Sequence, residues 1–319
     1  MPRAATVRLS ALLLATLASL ALALAAGSVP LDWATVWHSS GDDLQRRVLL
    51  ELRLPRALAA FAVGALLALS GALMQILLRN PLADPYVLGL SGGAAVGALL
   101  AILAGAVGAW VSASAFGGAL ASIVLVFALA GSDRSFTHAR LLLTGVVIAA
   151  GWGAMVALLL ALAPETQLRG MVFWLLGDLG STGTPALPLI VLALALAFAL
   201  AMARNLNVLA QGEIVAQSLG VPVKRVRRLL YFLASACAAA AVTAAGAIGF
   251  IGLLAPHLAR LALGNDQRLL LPAAALSGGV LLTLADTAAR TVAAPAQLPV
   301  GALTAALGVP LFLYLLSRR

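Results

Sequence analysis

Long apolar stretches that contain no charged side chain recur along the whole chain. Of its 319 residues, 63% are hydrophobic and 10% are charged. A helix that crosses a ~30 Å hydrocarbon core needs about 20 consecutive apolar residues. The sequence therefore predicts an all-α polytopic membrane protein, folded as a single domain over residues 1–319, with about ten transmembrane helices. The predicted helices lie near 9–27, 57–78, 87–107, 109–130, 140–163, 186–203, 229–250, 250–263, 270–290 and 300–316.

This composition excludes several classes of protein. A soluble enzyme or a disordered chain does not carry so many uncharged apolar runs. An outer-membrane barrel alternates apolar and polar residues in stretches of about ten, whereas these runs continue for about twenty. The run at 250–263 is short and contains Pro256, His257 and Arg260. It fits a half-span buried among other helices as well as a full span, so nine spans are the alternative count.

The distribution of cations indicates the orientation in the membrane. The formal net charge is +9, but the cations lie at the ends of apolar runs and do not form the clusters that bind nucleic acid. With ten spans and both termini in the cytoplasm, 14 of the 20 Lys and Arg residues are cytoplasmic, as the positive-inside rule requires. The outer side then holds Arg46, Arg47, Arg53, Arg56, Arg169 and Arg290.

The N-terminal run has two interpretations. Arg3 and Arg8 precede an apolar stretch that ends in Ala25-Ala26-Gly27, which also fits a cleaved secretory signal peptide. The stretch is about 18 residues long against the usual 7–15, and its removal would invert the topology of the remaining chain. We therefore favour a retained membrane anchor, with a cleaved signal as the alternative.

Residues for catalysis or ion coupling are scarce. The single lysine, Lys224, follows no glycine-rich loop, so the chain lacks the phosphate-binding loop of an ATPase. His38, His138 and His257 are far apart, and no spacing of ligand residues predicts a metal site. Asp286 is the only acidic residue within the predicted spans, which argues against ion-driven transport because coupling ions bind acids at mid-membrane. We predict no catalytic residue, no metal site and no cofactor in this chain.

Two predicted outer segments are too long to be simple turns. Residues 28–56 mix Trp33 and Trp37 with charged residues, which indicates an interfacial or surface helix ahead of the second span. Residues 164–185 contain the aromatic run 171–176, which predicts a short helix near the membrane surface. Interfacial anchoring and a gating or docking role both fit these segments.

Glycines recur within the predicted spans. Gly93 and Gly97 form a GxxxG pair, and Gly117 and Gly118 lie in the fourth span. Small-residue faces let helix backbones approach closely in lipid, where van der Waals contact replaces the hydrophobic effect. We therefore expect close helix packing at these positions.

Several long motifs follow one another in order. Residues 52–56 read LRLPR, 79–85 read RNPLADP, 246–257 read GAIGFIGLLAPH and 284–290 read LADTAAR. With the stretch QGEIVAQSLGVP at 211–222, they make the chain from about residue 45 onward resemble the permeases of ATP-binding-cassette (ABC) importers for iron chelates, heme and cobalamin. The resemblance implies a type II ABC importer permease architecture in the bacterial inner membrane.

The resemblance also implies partners. Such permeases work as two copies that form the pathway at a two-fold interface. They bind two copies of a cytoplasmic ABC ATPase and receive their ligand from a periplasmic binding protein. ATP and Mg²⁺ are then bound by the ATPase subunit, and this chain is not itself an enzyme.

Residues 205–228 form a polar cytoplasmic segment whose helix is predicted to end at Gly220 and Pro222. In the permeases that the chain resembles, this loop forms the coupling helices that sit in a groove of the ATPase subunit. The resemblance assigns that role to Gln211, Gly212, Glu213, Ala216, Leu219, Gly220 and Pro222. An ordinary solvated loop is the alternative.

An ion pair is expected near the outer end of the ninth span. Asp286 and Arg290 are i,i+4 neighbours, so the carboxylate can orient the guanidinium, and a self-contained ion pair is the plain interpretation. Similar permeases use arginines at these motif positions to receive glutamates of the binding protein. The resemblance thus implies Arg53, Arg56 and Arg290 as docking residues.

Two further positions have competing interpretations. Related permeases narrow the pathway at the Asn80-Pro81-Leu82 turn, which makes Asn80 and Leu82 candidate gate residues. Asn-Pro is also favoured in any turn between two spans, so an ordinary turn is the alternative.

His257 fits an axial ligand for heme iron. The same motif occurs in similar permeases whose ligands contain no heme, so we favour a hydrogen-bonded structural histidine.

These features predict the translocation subunit of an ATP-driven importer that moves a metal chelate: a ferric siderophore, heme or cobalamin. Iron chelates are slightly favoured because more of the similar permeases carry them. An ion-coupled secondary transporter of an amphipathic compound is the main alternative, and it lacks mid-membrane carboxylates. A membrane-embedded lipid-modifying enzyme is a weaker alternative, because clustered polar catalytic residues are missing.

Overall fold

The computed structural model describes residues 3–29, 32, 44–131, 138–180 and 183–317, and all regular structure in these ranges is helical. The α-helices of these ranges are α1 (Arg3–Ala25), α2 (Leu44–Leu77), α3 (Leu90–Leu103), α4 (Ala109–Gly131), α5 (His138–Leu162), α6 (Glu165–Leu175), α7 (Ala186–Ala201), α8 (Ala203–Ala210), α9 (Glu213–Ser218), α10 (Val223–Ala245), α11 (Ile251–Leu263), α12 (Gln267–Thr291) and α13 (Val300–Ser317).

In the part of the chain that the structure describes, ten apolar helical segments match the ten predicted runs. Helices α1, α2, α4, α5, α10 and α12 are long and apolar enough to cross a membrane, and α7 with α8 forms a seventh candidate that is bent by 63°. The shorter helices α3, α11 and α13 are also apolar. Each segment overlaps one predicted run, which confirms the all-α membrane fold.

Helix α2 is the centre of the bundle. In its most apolar window 89% of the residues are buried, against 17% in α1 and in α5. It packs against α10, α11 and α12. A helix that is apolar on every side is expected in the interior of a bundle, and α2 therefore positions its neighbours.

Glycines set the closest helix contacts. A β-carbon at Gly64 in α2 would overlap the carbonyl oxygen of Gly278 in α12, and one at Gly278 would overlap the carbonyl of Gly64. Gly93 of α3 and Gly118 of α4 face each other in the same way. The predicted close packing at Gly93 and Gly118 is thus confirmed, and it depends on the absence of side chains on both helices. At Gly117 the prediction was wrong, because nothing lies within 4 Å of its β-carbon position.

Some helix boundaries differ from those that hydropathy predicts. Helix α10 begins at Val223 and not near residue 229. Val223, Val226 and Leu230 are buried at helical spacing, and this packing stabilises the helix even where its exposed residues are basic. Helix α2 likewise begins at Leu44 and contains a π-helical turn at Val48–Arg53. In the predicted outer segment 28–56, the described residues 44–53 are therefore continuous with the second span. Trp33 and Trp37 lie outside the described residues.

The short run at 250–263 is a short helix inside the bundle. Helix α11 has 13 residues, of which seven are buried, and Pro256 lies within it. A break separates it from α10: both Gly246 and Phe250 have φ of 69°. The amide of Ile248 in this break donates to the hydroxyl of Tyr86 at 3.3 Å. Irregular backbone at membrane depth is tolerated where protein covers it, and this burial fits the predicted half-span.

The close approach of α3 and α4 gives a testable prediction with a matched control. Gly118→Ala should lower the free energy of unfolding by about 1–3 kcal/mol, because overpacking a close contact forces the backbones apart. Gly117→Ala should change it little, since no atom lies within 4 Å of that β-carbon position. Thermal unfolding of the two variants in detergent checks this; equal melting temperatures would contradict the observed packing.

Candidate functional site

A cluster of charged residues joins α2 to α12 at one end of the bundle. Arg56 Nη2 lies 2.8 Å from Asp286 Oδ1, and Arg290 Nε lies 3.0 Å from Asp286 Oδ2. Asp286 is only 1% exposed. One buried carboxylate therefore holds two guanidinium groups from two helices, and a buried charge needs such pairing. We call Arg53, Arg56, Asp286 and Arg290 the arginine cluster.

Two arginines of the cluster also hold the end of α1. Arg53 Nη1 donates to the carbonyls of Leu24 at 2.8 Å and Ala25 at 2.9 Å. Arg290 Nη2 donates to the carbonyl of Ala23 at 3.2 Å. The last carbonyls of a helix have no partner within the helix and carry partial negative charge, so cations stabilise them. The cluster thus fixes the N-terminal helix to the bundle.

The structure places the three predicted docking arginines together but buries two of them. Arg53 and Arg290 are each 5% exposed, and the Arg56 side chain is 13% exposed. Arg56 Nη1 also donates to Gln297 Oε1 at 2.9 Å. The predicted Asp286–Arg290 ion pair is present. Sequence reasoning missed that Arg56 shares the carboxylate, because the two residues are 230 positions apart. Docking itself remains a prediction.

The coupling segment, residues 205–228, contains α8, α9 and the start of α10. Some of its predicted coupling residues face the protein. Gly212 is buried, Ala216 has no exposed surface, and Glu213 Oε1 lies 3.0 Å from Arg227 Nη1 of α10. The other four residues assigned to coupling are exposed: Gln211, Leu219, Gly220 and Pro222.

An exposed apolar patch marks the outer face of α9. Ile214 is 85% exposed, Leu219 66% and Val215 43%; we call these three residues the coupling patch. The sequence did not identify Ile214 and Val215 as exposed. Which residues of α9 are exposed depends on how this short helix is oriented against α10, and the sequence alone does not determine that orientation. Gly220, next to the patch, has φ of 77° with nothing within 4 Å of its β-carbon position. Its backbone conformation, and not lack of space, requires glycine there.

A hydrogen-bonded contact ties α8 to the start of α12. Asn207 Nδ2 donates to Asp266 Oδ1 at 2.8 Å, and Asn207 Oδ1 accepts from the amide of Gln267 at 2.8 Å. The hydrogen bond from Asn207 and a second from the backbone of Arg268 hold the pKa of Asp266 below its usual range. The coupling segment is therefore anchored to the bundle at both ends.

The turn after α2 lies beside the coupling segment. Asn80 Oδ1 accepts from the amide of Leu82 at 2.9 Å, and the Asn80 carbonyl accepts from Ala83 at 3.0 Å. Leu82 is 48% exposed. Arg79 Nη2 lies 3.6 Å from the β-carbon position of Gly212. The turn that holds the candidate gate residues Asn80 and Leu82 thus lies beside the coupling segment, at the opposite end of α2 from the arginine cluster.

His257 lies inside the helix packing. It is 3% exposed, and its ring meets the ring of Phe312 edge-on, with the centroids 6.0 Å apart. This buried aromatic contact supports the structural interpretation of His257 over a heme-iron ligand.

Comparisons with known proteins agree with this architecture. The FecCD transport family matches residues 13–318. The hemin transport system permease HmuU of Yersinia pestis is 43% identical over 307 residues, covering 92% of this chain and 90% of that protein. The cobalamin import permease BtuC of Halobacterium salinarum is 42% identical, covering 84% of this chain and 73% of that protein.

Solved structures show the same fold. A metal-chelate type ABC transporter in an inward-facing conformation is 31% identical to this chain and superposes with a TM-score of 0.85, covering 99% of this chain and 100% of that one. The class of protein is therefore a multi-pass membrane permease of the ABC importer type. This chain belongs to the FecCD transport family, and it is the translocation subunit of an importer.

The shared carboxylate of the arginine cluster gives a second prediction. Asp286→Asn should lower the free energy of unfolding by about 3 kcal/mol or more, because it leaves two largely buried guanidinium groups without a counter-charge. Glu165→Gln removes an exposed carboxylate from the first turn of α6 and should change stability by less than about 0.5 kcal/mol. Thermal unfolding of both variants in detergent provides the comparison. Similar melting temperatures would show that Asp286 does not hold the cluster together.

Proposed function

We propose that this chain moves a bulky metal chelate, either a ferric siderophore, heme or cobalamin, from a periplasmic binding protein to the cytoplasm. The observation that carries the proposal is the placement of two different surfaces at opposite ends of α2, one cationic and one apolar. Relatives named for hemin and for cobalamin are almost equally similar to this chain. They therefore support a metal chelate as the class of ligand and do not favour one chelate over another.

Energy enters through a separate subunit in this proposal. The coupling patch, with exposed Gln211, Gly220 and Pro222 around it, docks into a groove of a cytoplasmic ABC ATPase that binds ATP and Mg²⁺. Two copies of the ATPase serve two copies of this chain, which itself holds no cofactor. Gly212, Glu213 and Ala216 hold the patch in place through their contacts with the bundle. Apolar side chains that are exposed on a polar segment are typical of interaction sites.

The arginine cluster faces the binding protein. It carries three guanidinium groups and one carboxylate, so its net charge attracts acidic residues on the lobes of that protein. Of the three arginines, Arg56 is the most accessible, and it contacts the binding protein directly. Arg53 and Arg290 stabilise this surface through their hydrogen bonds to the end of α1. Charges at the rim of an interface act mainly on encounter rate and orientation.

A second copy of this chain completes the pathway. Helix α5 exposes Ala150, Gly151, Gly153 and Ala154, and nothing lies within 4 Å of the β-carbon positions of the two glycines. Small-residue faces suit close contact between helices in a membrane, and a two-fold interface is the commonest arrangement. The turn at Asn80 and Leu82 narrows the cytoplasmic end of the pathway.

The orientation follows from these surfaces. The coupling segment faces the cytoplasm, and the arginine cluster faces the periplasm. Both termini are then cytoplasmic, in the inner membrane of a bacterial cell. The energy of transport comes from the partner subunit and not from an ion gradient.

The coupling patch gives a direct test of ATPase docking. Ile214→Ser with Leu219→Ser should abolish co-purification with the ATPase subunit and reduce ATP-driven uptake at least tenfold, since the lost apolar contact is the centre of the interface. The control is Val107→Ser, a change at a position that is 78% exposed in the connection between α3 and α4. Retained co-purification in the double variant would contradict the proposed docking.

Docking of the binding protein is tested at Arg56. Arg56→Gln leaves the Asp286–Arg290 pair intact, so the variant should fold, and it should slow association several-fold at low salt with a smaller effect at high salt. The control is Arg169→Gln on α6, which removes an exposed cation that does not belong to the arginine cluster. Surface plasmon resonance at two salt concentrations measures both rates. Equal rates for the two variants and the unaltered chain would contradict the assignment of Arg56.

A further inference from the structure

A groove with apolar walls opens between α7, α8 and α10, beside the coupling segment. Its volume is about 320 Å³, and its walls include Phe198, Met202, Val226 and Leu229. Asn205, Arg225 and Pro222 of the coupling segment complete the lining, and almost all of the surface inside the groove is apolar. The groove itself therefore suits an apolar chain, and a polar headgroup on that chain can reach the exposed Arg225 at its edge.

The bend between α7 and α8 produces the groove. The two helices meet at 63° across Met202, so α8 diverges from the direction of α7. The first turns of α10 lie beside the space that this bend leaves. The wall residue Phe198 is 44% exposed, so the apolar wall reaches the outside of the bundle. In a membrane such an exposed apolar surface faces acyl chains, and the groove is therefore open to lipid.

The charge at the mouth of the groove has no counter-charge in the described part of the chain. Lys224, Arg225 and Arg228 are exposed, and the structure records no side-chain hydrogen bond or ion pair from them to a described residue. Arg227, by contrast, is paired with Glu213. The first turn of α10 contains no acidic residue, and cations at the positive end of a helix dipole are unfavourable. An anion at Arg225 would relieve this excess of positive charge.

We propose that the groove binds one anionic phospholipid. Its phosphate accepts hydrogen bonds from the exposed guanidinium of Arg225 at the edge of the groove, and an acyl chain lies along Phe198, Met202 and Leu229. Basic pockets between transmembrane helices are a known way to hold anionic headgroups. Free phosphate would interact only with the cations at the edge and make no use of the apolar wall, so we assign the site to a lipid. The bound lipid stabilises the first turn of α10, next to the Glu213–Arg227 ion pair that links α9 of the coupling segment to α10.

Native mass spectrometry of the full chain in detergent tests the proposal, with phosphatidylglycerol and phosphatidylcholine of identical acyl chains as probes. The unaltered chain should retain one phosphatidylglycerol in preference to phosphatidylcholine. Arg225→Gln should weaken phosphatidylglycerol binding about fivefold, the contribution of one basic side chain near an anionic lipid. Phe198→Ser should weaken both lipids without changing charge. The control is Arg268→Gln, which removes an exposed cation from the start of α12, outside the groove.

Four results would overturn the proposal. Equal retention of the two lipids would exclude selection for an anion. An equal loss in the Arg225 and Arg268 variants would show general surface attraction. Displacement of the lipid by millimolar inorganic phosphate would make the site a phosphate site. Loss of the lipid when the ATPase subunit is added would assign the groove to that subunit. None of these results bears on chelate uptake, which is measured separately in reconstituted vesicles.

Discussion

The contact between Gly64 of α2 and Gly278 of α12 sets the register on which the rest of the structure depends. Arg56 precedes Gly64 by eight residues, and Asp286 follows Gly278 by eight, which is about 12 Å along each helix at 1.5 Å per residue. The antiparallel crossing therefore brings the guanidinium to the carboxylate. Further along α2, Gly71 packs against the backbone of Gly252 in α11, and Gln75 accepts a hydrogen bond from Arg260 at 2.9 Å. Larger residues at these crossings would separate the helices and the polar partners together.

The features that the sequence predicted correctly are local ones. Ten apolar runs predicted ten apolar segments because crossing hydrocarbon needs length and hydrophobicity, both of which are visible in a window of residues. The Asp286–Arg290 pair was predictable from its i,i+4 spacing. The third partner, Arg56, was not predictable, because a repeating pattern in the sequence does not indicate a contact between residues that are 230 positions apart. The start of α10 was missed because a hydropathy scan ends a span at charges, whereas buried Val226 and Leu230 continue the helix. Motif resemblance identified the coupling segment but did not distinguish exposed Ile214 from buried Ala216.

The two ends of α2 carry different chemistry, which fits the proposed roles of a binding protein at one end and a separate ATPase at the other. At one end, a cationic cluster fixes α1, and in the proposed function it attracts the binding protein. At the other end, the turn at Asn80 lies beside a segment whose outer face is apolar and whose inner face is tied to α10 and α12. In the proposed function, the protein supplies a pathway with two docking surfaces, and its partners supply the ligand and the energy.

Reconstitution into sealed vesicles tests this central claim most directly. Uptake of a radiolabelled ferric siderophore, of hemin and of cyanocobalamin is measured for this chain alone, with its ABC ATPase, and with the ATPase, the binding protein and ATP. The account predicts accumulation of one of these chelates only in the complete system, and none when ATP is replaced by a proton gradient. Accumulation against a gradient by this chain alone would contradict it, because the chain would then contain its own means of coupling.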